Sequence, residues 1–361
     1  MILPPYRPGE PGKPAAAILK TDLQEAASKL AARKIAKPVI EELLEPLHQL
    51  THEEESLAGS GLGRAILRSH GVFRQFELPV PPTPAQACAV GDCFWIRPIL
   101  MSLAVPEKIY VLDLSKKSVA LIECGAGEAV PVELPKGTPR TLDEALNFDA
   151  PDHDLMNRSS AGPSTGAMGG VQFGTGYGRE AQRAHLHDFY KAVDRGVNEV
   201  LRAAESPLVL AGVEEDVAIY RSLNMYPHLV EQSIPAPAGE PSRASQIVRQ
   251  ARGAVLFDFE RRAELRLGEL KERFAPVRFS MDLDAILRAA AEGRVSELYL
   301  DENGRRIGNF EGKIFGAHAN WHNEDLLNVA AVETLLAGGA VYPLPSHSMP
   351  NSAIAVAMFR Y

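Results

Sequence analysis

A chain of 361 residues exceeds one ordinary hydrophobic core, so two or three domains are expected. Its 45% apolar and 23% charged residues describe a globular protein, and no apolar run is long enough to span a bilayer. A formal charge of −8 argues against coating nucleic acid through bulk electrostatics and leaves only local basic patches for such contact.

In chain order, residues 1–17 carry Pro4, Pro5, Pro8, Pro11 and Pro14 and read as a lead-in without structure of its own. It holds no signal-peptide core, and Cys88, Cys93 and Cys124 form no C-x-x-C pair, which fits a reduced, cytoplasmic protein. Thr21 or Asp22 is placed to cap a helix to about Lys37, since Leu23, Ala26, Leu30 and Ile35 share a face. Pro38 interrupts it, and a second helix covers 39–50. His70-Gly71 separates two extended runs, 65–69 and 72–78, predicting a β-hairpin. Gly59, Gly61 and Gly63 lack the preceding strand and the Lys-Ser/Thr of a phosphate loop. These elements make a first domain over 18–103.

Pro79 to Pro84 mark a break, and strands follow at 108–114, 117–123 and 129–134. Alternation over 119–123 is poor, which predicts burial on both faces. Residues 156–178 are then almost all small, with seven glycines from Gly162 to Gly178. A loop this long inside a compact domain is usually functional or disordered. Behind it, Leu186, Phe189, Tyr190, Val193, Val197, Val200 and Leu201 recur at three- and four-residue steps and predict a helix over 179–204. The basic residues Arg179, Arg183, Lys191, Arg195 and Arg202 along it suit either a solvated face or a nucleic-acid contact. A strand at 207–212 and a helix at 214–223 complete a middle α/β domain, 104–232.

The proline-rich stretch 233–242 reads as a linker to a third α/β domain, 243–361. There a charged helix spans 243–274, and Asp282 caps a second helix that Gly293 ends. Asn303-Gly304 predicts a hairpin joining strands 295–300 and 305–310. A helix over 325–337 closes at Gly338-Gly339, before strands at 340–344 and 353–361. His318 and His322 lack the glutamate of H-E-x-x-H and are expected in a loop ahead of that helix. His185 and His187, with His153 and Asp154 across the long loop, are the other candidate cluster; a spacing of two on a helix turns the pair to different faces. No cofactor or metal is expected, and Trp95 and Trp321 read as packing residues.

Several stretches, taken in order, resemble the bacterial archaeo-eukaryotic release factor family, the bacterial relatives of archaeal and eukaryotic class 1 release factors and Pelota. They are Pro207-Leu-Val-Leu-Ala-Gly-Val213, Ile219-Tyr220-Arg221 and Asn224-Met225-Tyr226-Pro227-His228-Leu229 in the middle domain. In the third domain they are the helix, Gly-x-Val and strand of 282–300, then 331–341 and 353–361. The likeness runs over 65–361. It implies a three-domain α/β architecture with an RNase H-like middle domain and an L7Ae/Pelota-like C-terminal domain. It also implies the ribosome as partner, with its rRNA and tRNA, and a translational GTPase of the elongation-factor Tu type; neither a membrane nor DNA is implied.

In such factors a Gly-Gly-Gln tripeptide on a loop before a long helix serves peptidyl-tRNA hydrolysis. Here Gly169-Gly170-Val171-Gln172 stands at that place, with a valine where the glutamine is expected. One residue moves a group by roughly 3 Å along an extended chain, and an error of about 1 Å can cost a hundredfold in rate. The resemblance therefore implies A-site binding, in stalled-ribosome sensing or hibernation, without efficient hydrolysis. The open alternatives are a peptidyl-tRNA hydrolase using Gln172 and a non-ribosomal RNA- or protein-binding role. Gly169, Gly170, Arg158, Arg179 and Arg183 are the expected RNA-contacting residues.

Overall fold

The computed structural model describes residues 1–5, 14–52, 62–78, 87–125, 128–148, 175–235, 244–274, 277–314 and 317–361. They form two compact units: Met1–Glu107 together with Val255–Tyr361, and Lys108–Ala254.

The first unit begins with strand β1 (Ile2–Leu3), helices α1 (Ala15–Ala32) and α2 (Lys37–Leu50), strands β2 (Gly63–Arg68) and β3 (Phe73–Leu78), and helix α3 (Arg97–Ala104). The expected hairpin is β2–β3, antiparallel from Gly63↔Leu78 to Arg68↔Phe73. Two expectations need correction. Part of the lead-in is structured: Ile2 and Leu3 pair with Ala65 and Arg64 and are buried. Helix α1 starts after Pro14, and Asp22 lies inside it, buried, instead of capping it. The physical reason is Ala15-Ala16-Ala17-Ile18-Leu19, which extends the apolar face toward the N-terminus with strong helix formers. Lys34, in the left-handed region (φ 62°), lies between α1 and α2, and Pro38 sits in the first turn of α2, where its missing N–H costs nothing.

The second unit holds β4 (Ile109–Leu114), β5 (Ala120–Cys124), β6 (Ala129–Val132), α4 (Leu142–Phe148), α5 (Thr175–Leu201), β7 (Leu208–Gly212), α6 (Glu214–Leu223) and the start of α7 (Ala244–Phe274). Its sheet runs β6-β5-β4-β7, with β4 parallel to β7 and antiparallel to β5. Burial on both faces of β5 is not found: Val119 and Leu121 are buried, Ala120 and Ile122 only half-buried. Helix α4, which periodicity does not announce, is capped locally. Thr141 Oγ1 accepts from Glu144 N (3.1 Å), and the Glu144 carboxylate accepts from Arg140 N (2.7 Å).

The chain returns to the first unit with the second half of α7, β8 (Phe279–Ser280), α8 (Leu283–Ala291), β9 (Val295–Asp301), β10 (Ile307–Ile314), β11 (Ala317–Asp325), α9 (Leu326–Leu336), β12 (Ala340–Leu344) and β13 (Ala355–Phe359). The sheet order is β12-β9-β13-β8, with β12 parallel to β9 and the rest antiparallel. Helices α8 and α9 pack on one face through Ile286, Leu287, Leu327 and Ala330; Ala263, Leu267 and Leu270 of α7 join the cluster that holds Tyr299, Val356 and Met358. Asp282 caps α8, accepting from Asp284 N at 3.1 Å, and Gly293 follows at φ 70°.

The Asn303-Gly304 hairpin is a further correction: β9 pairs with β12 and β13, and β10 pairs with β11. Both edges of β9 are thus occupied. The carbonyls of Asp301 and Glu302 are taken instead by the Arg97 guanidinium, at 2.6 and 3.3 Å. That guanidinium also pairs with Asp325 at 2.6 Å, both side chains being buried. Asn328 accepts from Ile96 N at 2.8 Å. His318 and His322 lie in β11, not in a loop.

Candidate functional site

The long helix α5 carries Arg179 and Arg183, two of the sequence-predicted residues. Its apolar stripe is buried as expected: Leu186, Phe189, Tyr190, Val193, Val197 and Leu201 are at most 3% exposed. They pack with Leu112, Leu114, Leu121, Leu208 and Leu210 of the sheet. Full burial of each such side chain contributes about 1.5–3 kcal/mol, so the helix is held by much more than its own propensity. At 27 residues it is roughly 40 Å long.

Three further contacts fix its position. Asp194, on the buried side, accepts from the Tyr220 hydroxyl of α6 at 3.0 Å. Burial pushes this carboxyl up from its ordinary value, against the downward pull of that hydrogen bond. Gly196 faces Thr138 so closely that any Cβ would run into its side chain. The Tyr226 hydroxyl donates toward the carbonyls of Ala204 and Ser206, both at 2.7 Å, just beyond the helix. None of these three was visible to periodicity alone. The one available signal was a carboxylate, Asp194, next to Val193 in the middle of an apolar stripe.

The opposite face is polar. Lys191, Arg195 and Arg202 on it are exposed, and so is Arg183, which falls at the angle of the stripe near the helix's N-terminal end. None of the four has an ion pair or hydrogen-bonded side chain among the described residues. Arg179 lies in the first turns of α5. Arg158, Gly169, Gly170 and Gln172 lie outside the described residues, as do Gly59, Gly61, His153 and Asp154; α5 begins at Thr175, directly after that segment. His185 is exposed, and His187 Nδ1 is 3.9 Å from Asp188 Oδ1, both also exposed. Among the described residues no group of three or more His, Cys, Asp or Glu is placed to hold a metal ion. No described helix is long and apolar enough to cross a membrane.

On the other face of the same sheet, Asp113 stands in line with Ile109 and Val111 along β4. Its Oδ1 is buried without a hydrogen-bond partner, and burial pushes the carboxyl up to about 6.

Compared with known proteins, residues 109–294 match the profile of bacterial archaeo-eukaryotic release factor family 3. No curated protein sequence matches the chain. Among solved structures, Pelota of Archaeoglobus fulgidus is similar at 12% identity, over 83% of this chain and 80% of that one, with a TM-score of 0.35. Ribosome-bound archaeal Pelota, in a structure with ABCE1, gives 10% identity, 84% and 78% coverage and a TM-score of 0.37. The archaeal translation termination factor aRF1 gives 11% identity, 100% and 91% coverage and a TM-score of 0.25.

Proposed function

The chain belongs to bacterial archaeo-eukaryotic release factor family 3, and from that premise we propose that it is a ribosome-associated translation factor. In this reading it occupies the A site of a stalled or hibernating ribosome without efficient peptidyl-tRNA hydrolysis. The observation that carries the second half is Gly169-Gly170-Val171-Gln172 immediately ahead of α5. In the sequence this tetrapeptide stands where a hydrolytic tripeptide is expected, with the glutamine one residue late. Because α5 is anchored by its buried stripe, Asp194 and Gly196, the helix itself has little freedom to compensate. A GTPase of the elongation-factor Tu type, met through residues 243–361, is the proposed second partner.

Co-sedimentation with 70S ribosomes, with peptide release measured in the same tubes, tests this reading. Binding without release is expected. Release abolished by Gln172→Ala would instead make the protein a peptidyl-tRNA hydrolase, the reading that the loop's position before the helix favours. Absence of binding at low salt would leave a non-ribosomal RNA- or protein-binding role, which the −8 charge favours.

A further inference from the structure

The outward face of α5 carries a row of cations whose chemistry selects a partner. At 100° per residue, Lys191, Arg195 and Arg202 fall within about 40° of one another, opposite the buried stripe. Arg183, also exposed, lies about 80–120° round the helix from them and is not part of the row. Acids stand within reach of the row. Glu199 is at i+4 from Arg195 and i−3 from Arg202, and Asp188 is at i−3 from Lys191, spacings at which helical ion pairs form. Among the described residues no such pair forms, although Lys29 pairs with Glu25 and Arg262 with Asp258 at the same helical spacing. The exposed Lys20, Lys271 and Arg288 are likewise without an ion pair among the described residues, so what sets the α5 cations apart is their alignment on one face.

The same face tells what would cover it. Among residues 183–202 the exposed positions are charged or polar apart from Ala184; no large apolar side chain is exposed there. A protein partner needs a desolvated apolar or aromatic centre, and an interfacial membrane helix needs apolar anchors. Phosphate contacts need neither. A straight, rigidly seated rod with positive charge along one side fits an extended polyanion.

We propose that α5 lies along an RNA phosphodiester backbone, with Lys191, Arg195 and Arg202 each neutralising a phosphate. The proposal rests on the ribosome-associated reading for where that RNA is met, but not for its chemistry.

The test compares the full-length wild type, Lys191→Ala/Arg195→Ala/Arg202→Ala, and a charge-matched control, Lys20→Ala/Lys271→Ala/Arg288→Ala, whose residues are also exposed. Binding to 70S ribosomes and to a labelled RNA hairpin is followed against salt concentration. The α5 variant should lower the slope of log K against log salt by about 2 and weaken binding on the order of ten- to a hundredfold at 0.1 M salt. The control should match the wild type in slope, and unchanged circular dichroism should show that α5 remains folded. Equal slopes for wild type and α5 variant would overturn the inference while leaving ribosome association intact. Ribosome binding that the α5 substitutions weaken, with no wild-type affinity for the hairpin, would point to an acidic ribosomal protein and overturn it too. Wild type bound to neither target would end both readings.

Discussion

Replacing Asp113 by asparagine should remove a pH dependence that the wild type carries in β4. The Asp113 carboxyl sits on the sheet face opposite α5, with Oδ1 buried and unpartnered, and burial raises it from the ordinary 3.8 to about 6. Below pH 3.8 the group is protonated in both folded and unfolded chains and contributes no difference. Between 3.8 and 6 the folded state keeps the proton and the unfolded state releases it, so stability falls as pH rises. Above 6 the loss is complete. A shift of roughly two units sets an upper bound of about 3 kcal/mol at 1.36 kcal/mol per unit, and because Asp113 is only half-buried, solvent screening brings the effect below it. Asparagine keeps the shape without the titration, and its own desolvation does not change over this range. The quantity to measure is therefore the difference in urea midpoint between wild type and Asp113→Asn, at steps from pH 4 to 7.5. Distant groups cancel in that difference. Wild type should lose ground steadily to the variant up to pH 6 and then run parallel to it. A difference that stays flat with pH would refute the reasoning, because it would mean that the carboxyl is solvated in the folded protein.

Two further outcomes follow from contacts. Gly196→Ala should destabilise the second unit by about 1–3 kcal/mol, since its Cβ meets Thr138, and Thr138→Gly in the same chain should recover most of it; urea midpoints of the four proteins in the cycle decide this. Arg97→Met strands the buried Asp325 carboxylate and should cost roughly 3–5 kcal/mol. Adding Asp325→Asn should return part of that loss, and a double variant no better than the single would show that the ion pair is not the cause.

Elements fixed by local chemistry were legible in the sequence. The stripe of α5, the apolar run of β7, the Asp282 cap and Gly293 stop of α8, and the Gly338 turn (φ 72°) after α9 all fall where residue spacing puts them. Elements decided by competition were not. Asn303-Gly304 is a good turn sequence, yet β9 pairs with β12 and β13, which lie later in the chain. The start of α1 moved because Ile18 and Leu19 are buried by distant partners, and α4 was missed although Thr141 and Glu144 carried its capping pattern. At the candidate site, the exposure of Lys191 and Arg195 and the burial of Tyr190 were readable from the helical period, whereas Arg183 falls at the angle of Leu201 and is exposed all the same. The Tyr220–Asp194 bond was not readable, since it joins residues on two different helices.

The first unit is closed by residues from both ends of the chain, and this imposes an order on its birth. Arg97 must wait for Asp325, synthesised 228 residues later. At 5–20 residues per second the delay is roughly 10–50 s. Lys108–Ala254 emerges complete during that interval; α1 and α2 can already close a cluster with β1 and β2, while Leu100 of α3 waits for the side chains of α8 and α9 that it packs against. Helix α3 is thus the part of the nascent N-terminal segment that stays uncovered longest.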